Sequence, residues 1–216
     1  MPPTTAIVFD LDGTLVNSLP DICHNLNLLR ARRGLSTYDE AFLRPLIGQG
    51  LESFVAGAMS EFQKDEFPEL IQEYRSIYLE YPGVNGHIYP GVLETLTWLR
   101  KNPATRLAIA TNKSHPVALK TLEHYLPDFK FDVVRGREKV SRCKPDKAHL
   151  LEVLAELEIS PHRAWFVGDD PVDLQCAQSA QVRFLAAGYG FGNVVAPASQ
   201  TLKQFNDLIH HLSEIQ

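Results

Sequence analysis

Apolar positions along this chain switch between two spacings, and the switches mark its organisation. Ala6-Ile7-Val8-Phe9 is a continuous apolar run that stops at Asp10. β-Branched and aromatic residues bounded by a turn signal predict a buried strand over 6–10. Helical spacing follows. Ile22, Leu26 and Leu29 share one face of a helix that Gly34 ends, and Ser36 or Thr37 is placed to cap a short helix through Phe42. Pro45 breaks that helix, and Gly48-Gln49-Gly50 forms a loop before a helix over 51–59. Another helix runs over 68–79. No strand pattern occurs between Leu15 and Tyr81, so this stretch reads as an inserted all-helical module.

Alternation resumes after the turn-rich segment Tyr81-Pro82-Gly83-Val84-Asn85-Gly86. Helices are expected over 92–100, 116–125 and 171–180. One more is capped by Asp146 and shows Leu150, Leu154 and Leu157 on one face. Strands are expected over 106–110, 131–134, 164–167 and 182–185. The tail carrying Leu202, Phe205, Leu208, Ile209 and Leu212 is amphipathic and suited to pack on the sheet. Strands separated by helices imply a parallel sheet with right-handed crossovers, the α/β doubly wound, Rossmann-like arrangement. Residues 1–14 and 89–216 then form the α/β core, and 15–88 the helical insert. The Gly188-Tyr189-Gly190-Phe191-Gly192 segment matches no phosphate-binding fingerprint and reads as a flexible loop.

The chain of 216 residues carries a net charge of −5 and scattered basic residues, so no nucleic-acid surface is expected. Arg30, Arg32 and Arg33 cluster at a helix end, where cations suit the dipole, and read as a solvated terminus. Cys23, Cys143 and Cys176 show no pairing or zinc spacing, as expected of reduced thiols. With no signal peptide and no apolar run of membrane-spanning length, the expectation is a cytoplasmic protein without membrane partners.

Chemistry concentrates where strands end. Asp10 and Asp12, two residues apart, aim at one place where the chain turns at Gly13. Two convergent carboxylates repel unless a cation or proton separates them. Thr111, Asn112 and Lys113 follow the second core strand. Lys144 precedes Pro145, and Asp169, Asp170 and Asp173 follow the strand over 164–167. A parallel sheet brings such ends to one rim. The inventory suits phosphoryl transfer at a magnesium ion, a hard cation that takes oxygen ligands such as Asp10 and Asp169. An ionised carboxylate needs no partner base to attack phosphorus. Lys144 can pair with phosphate oxygens, and Thr111 and Asn112 can donate to developing charge. Asp12 can protonate the leaving alcohol. Read singly, Thr111-Asn112 is a helix-entry turn, Lys144 a surface lysine, and Asp170 first-turn acidity.

The run Asp10-Leu11-Asp12-Gly13-Thr14-Leu15, the Thr111-Asn112-Lys113 turn, Lys144-Pro145 and Gly168-Asp169-Asp170-Pro171-Val172-Asp173 together resemble the haloacid dehalogenase superfamily of phosphotransferases. The resemblance implies Asp10 as nucleophile and magnesium ligand. It implies Asp12 as general acid/base, with its backbone carbonyl also a ligand. Thr111 and Lys144 would bind the phosphoryl group, Asp169 the metal, and Asp173 the metal or its neighbours. It also implies a helical cap, matching the insert. Expected substrate contacts are Thr14, Asn112, Gly48, Gln49 and Gly50. Segments Pro45-Leu46-Ile47-Gly48-Gln49-Gly50-Leu51 and Tyr89-Pro90-Gly91-Val92 look most like the phosphoglycolate phosphatase group. Asn17, Asp170 and Gln181 depart from the usual pattern, where Asp, Ser or Thr, and Gly are common. The expected activity is hydrolysis of a small phosphorylated metabolite, 2-phosphoglycolate foremost, through an aspartyl-phosphate, by a monomer or homodimer. A pyrophosphatase, a sugar-phosphate phosphatase, a phosphomutase and a non-catalytic binding protein on the same fold remain alternatives.

Overall fold

A computed structural model describes residues 4–47 and 50–213. Six parallel strands form the central sheet: β1 (Thr5–Phe9), β4 (Thr105–Ala110), β5 (Val133–Arg135), β6 (Ala164–Gly168), β7 (Arg183–Ala187) and β8 (Thr201–Leu202). Their order is β5-β4-β1-β6-β7-β8. Period 2 is visible in the core. Ile7, Phe9, Leu107, Ile109, Trp165, Val167 and Leu185 face one layer, and Ala6, Val8, Ala108, Ala110, Phe166, Phe184 and Ala186 the other. Both faces are buried, which is why these strands read as unbroken apolar runs rather than alternating ones.

Helices α5 (Val92–Arg100), α6 (His115–Tyr125) and α9 (Asp207–Ser213) cover the first face. Helices α7 (Ala148–Glu156) and α8 (Pro171–Ala180) cover the second. The expected doubly wound architecture is present. Strand β8 is an addition, two residues long and too short for a pattern to announce. The strand expected over 131–134 sits at Val133–Arg135.

Between β1 and β4 the chain forms α1 (Leu19–Arg32), α2 (Glu40–Leu43), α3 (Leu51–Ala58) and α4 (Phe67–Glu80). These helices bury a separate cluster that includes Leu26, Leu29, Phe54, Val55, Met59, Leu70, Tyr74 and Ile77. Asp39, rather than Ser36 or Thr37, caps α2 by accepting from the Phe42 N–H at 2.8 Å. The block is not strand-free at its edges. β2 (Val16–Asn17) pairs antiparallel with β3 (His87–Ile88), so the outgoing and returning chain cross as a two-stranded ribbon. Asp21 ties the same crossing. Its Oδ1 accepts from the N–H groups of Val84, Asn85 and Gly86, and its Oδ2 from the Tyr125 hydroxyl.

The arginine cluster needs correction. Arg30 is buried, donates to the Ser36 and Ala58 carbonyls, pairs with Glu61 at 2.8 Å and stacks on Tyr38. It braces the helical block. Its planar guanidinium can satisfy several acceptors at once, which a solvated helix end does not require. Cys23 and Cys176 are buried, Cys143 is half-buried, and all three are free. Among the described residues no helix is long and apolar enough to cross a membrane.

Candidate active site

Asp10 is the residue at which β1 runs out, and its N–H still bonds to the Val167 carbonyl at 2.9 Å. Phe9 pairs in register with Ile109 of β4 and Val167 of β6. Thr111 and Asp169 therefore emerge beside Asp10 at the same carboxyl edge. From β1 the chain proceeds to β4 and β5 on one side. From β6 it proceeds to β7 and β8 on the other, so Asp10 and Asp169 flank the switch point where such sheets place ligands. A cavity of about 160 Å³ opens there. Asp10, Asp12, Thr111, Asn112, Lys144, Asp169 and Asp173 all line it.

Lys144 is the electrostatic centre. Its Nζ lies 2.7 Å from Asp10 Oδ1 and 2.6 Å from Asp173 Oδ1. Burial works against its charge, but Asp10 and Asp173 outweigh burial and hold its pKa above the ordinary lysine value. One ammonium does not balance the carboxylates gathered here. Burial, then the charges of Asp10 and Asp173, pushes Asp169 well above the usual carboxylate range. Burial raises Asp173 to about 7 despite Lys144. Oxygens of Asp10, Asp169 and Asp173, all buried, lie within 4.8 Å of one another. Such a set of hard donors with excess negative charge fits a divalent cation such as magnesium.

The turn after β1 is built around this cluster. Gly13 has φ +80°, and a Cβ there would meet Asp169 Oδ2 at 1.8 Å, so the position requires glycine. Thr14 is fully buried and donates to Asp169 Oδ1 at 3.4 Å, which places it behind that carboxylate rather than on the cavity wall. Asn112 spends its side chain on the loop before Pro145. It donates to the Lys144 carbonyl at 2.9 Å and accepts from the Lys144 N–H at 3.0 Å. It holds Lys144 in place although it also reaches the cavity. Thr111 accepts from the Lys113 N–H at 3.2 Å, and among the described residues its own hydroxyl proton has no acceptor. Asp170 caps α8 by accepting from the Val172 N–H, and Asp173 accepts from the Asp170 N–H, so its first-turn role is structural.

Gly50 lines the cavity and precedes α3, whereas Gly48 and Gln49 lie outside the described residues. The wall opposite Asp10 comes from the helical block: Ile22, Leu51, Phe54, Tyr74 and Tyr78, with Arg44 and Arg75 as its cations. Arg44 is solvent-exposed, and its Nε donates to the Phe191 carbonyl across the mouth at 2.8 Å.

Two contributors escaped the sequence reading. The Gly188–Gly192 loop is not free. The Gly192 N–H donates to Asp169 Oδ2 at 2.7 Å, and a Cβ at Gly190 would strike the Asp169 side chain at 2.5 Å. Glycines that follow a core strand within two dozen residues of a candidate ligand were the available signal. Lys113 is the second. Its Nζ meets both Asp12 oxygens at 3.0 and 3.1 Å, although the sequence marks it only as the third residue of a turn.

The chain as a whole is similar to known hydrolases. The family model for haloacid dehalogenase-like hydrolases matches residues 7–187. A phosphoglycolate phosphatase of Rhodospirillum rubrum is 33% identical over 211 residues, covering 94% of this chain and 87% of that protein. An N-acetylmuramic acid 6-phosphate phosphatase of Pseudomonas aeruginosa is 30% identical over 187 residues, covering 86% and 82%. The crystal structure of a predicted phosphoglycolate phosphatase from Haemophilus somnus superposes with a TM-score of 0.84 at 28% identity over all of both chains. The chain belongs to the haloacid dehalogenase-like hydrolase family, in its phosphoglycolate phosphatase-like group.

Proposed function

We propose that this protein hydrolyses a small phosphate monoester, with 2-phosphoglycolate the leading substrate, through a phosphoaspartate at Asp10. The observation that carries the reading is the meeting of Asp10 with Asp12, Thr111, Lys144 and Asp169, from separate strand ends, in one cavity. Asp10 sits at the floor with Lys144 against one oxygen, so its other oxygen is the one available to phosphorus. Lys144 and the Thr111 hydroxyl orient the phosphoryl oxygens and offset charge that grows on them. As the Asp10–phosphorus bond forms, the ester P–O bond breaks, and the leaving oxygen takes a proton from Asp12. Water then attacks phosphorus, Asp12 accepts its proton, and the Asp10–phosphorus bond breaks to return the carboxylate and release inorganic phosphate.

Asp10, Asp169 and Asp173 would hold magnesium, with the Asp12 backbone carbonyl completing the set. When bound, the ion neutralises phosphate charge among the carboxylates. The helical block over 15–88 acts as the cap that covers the substrate. Arg75 and Arg44 are the groups suited to the carboxylate of 2-phosphoglycolate. The aromatic faces of Phe54 and Tyr74 on the same wall favour a second reading, a sugar phosphate, in line with the similarity to the N-acetylmuramic acid 6-phosphate phosphatase.

The test is a panel of phosphorylated metabolites assayed for kcat/KM with and without magnesium, coupled to borohydride trapping during turnover. Reduction of an acyl phosphate converts the modified aspartate to homoserine, which peptide mass spectrometry locates. Homoserine at position 10, and phosphate release that stops on chelation, are expected. Release without a trapped residue 10 overturns the mechanism, and no release from any ester overturns the function.

A further inference from the structure

We propose that Lys113 is a positioning residue that couples the helical block to the proton-transferring carboxylate of Asp12. The inference rests on the reading of Asp12 as proton donor given above. Lys113 stands in the turn after β4, on the core side. Its ammonium is 3.0 Å from Asp12 Oδ1, 3.1 Å from Asp12 Oδ2 and 3.0 Å from the Tyr78 hydroxyl, and it lies 4.1 Å from the centre of the Tyr78 ring. Tyr78 belongs to α4 in the helical block. The Lys113 side chain is only 7% exposed, so its charge is stable there only while its partners stay in place.

Those partners come from the two sides of the cavity. Asp12 belongs to the core edge and Tyr78 to the opposite wall. Burial, then the nearby Asp12 charge, holds the Tyr78 phenol well above its ordinary pKa. Its oxygen therefore serves as a neutral acceptor for the ammonium, and its ring adds cation–π attraction. Withdrawing α4 would strip Lys113 of both and leave Asp12 with a solvated, mobile counter-charge. With α4 seated, Asp12 is fixed. Oδ1 receives Lys113 and also the Ser18 hydroxyl at 2.5 Å, whereas among the described residues Oδ2 receives Lys113 alone. Oδ1 is thus the doubly anchored oxygen, which fixes the orientation in which Oδ2 meets the leaving oxygen. Seating the block and aiming the acid become one event.

The test uses leaving groups. Ethyl phosphate expels a basic alkoxide that needs the proton, whereas 4-nitrophenyl phosphate expels a stable phenolate that does not. Because kcat/KM ends at formation of the phosphoenzyme, it isolates this step. With magnesium present, Lys113→Met is expected to lower kcat/KM on ethyl phosphate by about 100-fold, the usual reach of general acid catalysis. The loss on 4-nitrophenyl phosphate should be at least about tenfold smaller. Tyr78→Phe, which keeps the ring and deletes one hydroxyl, should show a smaller loss with the same selectivity. Lys113→Arg should recover part of the ethyl phosphate activity. Equal losses on the two esters in Tyr78→Phe, or no loss on ethyl phosphate, overturn the inference, and this variant guards against misfolding of Lys113→Met. If the wild type hydrolyses neither ester, the proposed function has failed and the inference falls with it. If the wild type hydrolyses both and the losses are unselective, only the inference fails.

Discussion

The two walls of the cavity are built from opposite materials. The sheet edge gathers Asp10, Asp169, Asp173 and Lys144, all at most 7% exposed, with each charge held by another or by a backbone N–H. The helical block faces it with Ile22, Leu51, Phe54, Tyr74 and Tyr78, backed by its own apolar cluster. Buried charge costs stability, and buried apolar surface contributes it at about 25 cal/mol per Å². The edge therefore gathers charge at the expense of stability, whereas the block rests on its own apolar cluster and gives the cavity its shape. Rigid strand ends suit atoms that must be placed to a fraction of an ångström, and helices on a two-stranded crossing suit a surface that must accommodate a particular ligand.

The sharpest way to break this division is at Asp10. Asp10→Asn keeps the size of the side chain and removes the charge proposed to attack phosphorus, so turnover should fall by at least about 10⁴-fold on every ester, the scale seen when a nucleophile is lost. Phosphate release in single-turnover assays checks it, and a comparable fall from a block residue would erase the contrast. Lys144→Met comes next. Leaving two buried carboxylates without their ammonium is expected to cost about 4 kcal/mol of unfolding free energy without metal. Urea titrations with and without magnesium should show the ion restoring part of that loss, because it fits among the same oxygens. No restoration would mean that the three carboxylates do not hold the cation.

Legibility in sequence follows the same division. The meeting of Asp10, Asp12 and Asp169 in one cavity was readable because strand ends constrain direction. A period of two puts the side chains of residues 10 and 12 on one side, and parallel neighbours deliver residues 111 and 169 to the same rim. The strands were readable because both faces of the sheet are buried. What escaped depends on partners distant in the chain. Arg30 looks like any helix-end arginine until Tyr38, Ala58 and Glu61 converge on it. Thr14 and Asn112 carry donors that suit phosphate, yet Asp169 and the Lys144 backbone claim them first. Short pairings such as β2 with β3 lack a periodic run, and the glycine loop over 188–192 gains its role only from Asp169 beneath it. Helical spacing predicts that residues face inward but not which side chain of a block meets which side chain of a core.

A third test probes the apolar layer beneath the charged edge. His149 of α7 is fully buried, and burial, reinforced by the Lys144 charge, lowers its pKa from 6.5 to about 4. Its folded form resists protonation while its unfolded form titrates near 6.5. The stability it leaves intact above pH 6.5 is therefore lost as pH falls toward 4, by about 3 kcal/mol. Other groups titrate in the same window, so the readout is a difference. From pH 7 to pH 4, wild type should lose about 3 kcal/mol more than His149→Gln in urea unfolding. Parallel losses would mean that the ring takes up its proton without leaving the core, and that the edge tolerates a second cation beside Lys144.

The smallest effect is expected on the opposite wall, and it bears most directly on the choice of substrate. Arg75 of α4 lines the cavity, and its guanidinium holds Glu138 at 3.1 Å. A guanidinium presents five donors, and the part of it on the cavity wall can meet an incoming acceptor. The carboxylate of 2-phosphoglycolate is such an acceptor, and the methyl group of ethyl phosphate is not. Because the side chain is one-third exposed, water weakens the contact, and discrimination of about tenfold, or about 1.4 kcal/mol, is the expected scale. Arg75→Leu should lower the ratio of kcat/KM for 2-phosphoglycolate over ethyl phosphate by that factor and leave the homoserine trap at position 10 intact. An unchanged ratio would reduce the helical wall to shape alone and shift the case toward a sugar phosphate resting on Phe54 and Tyr74.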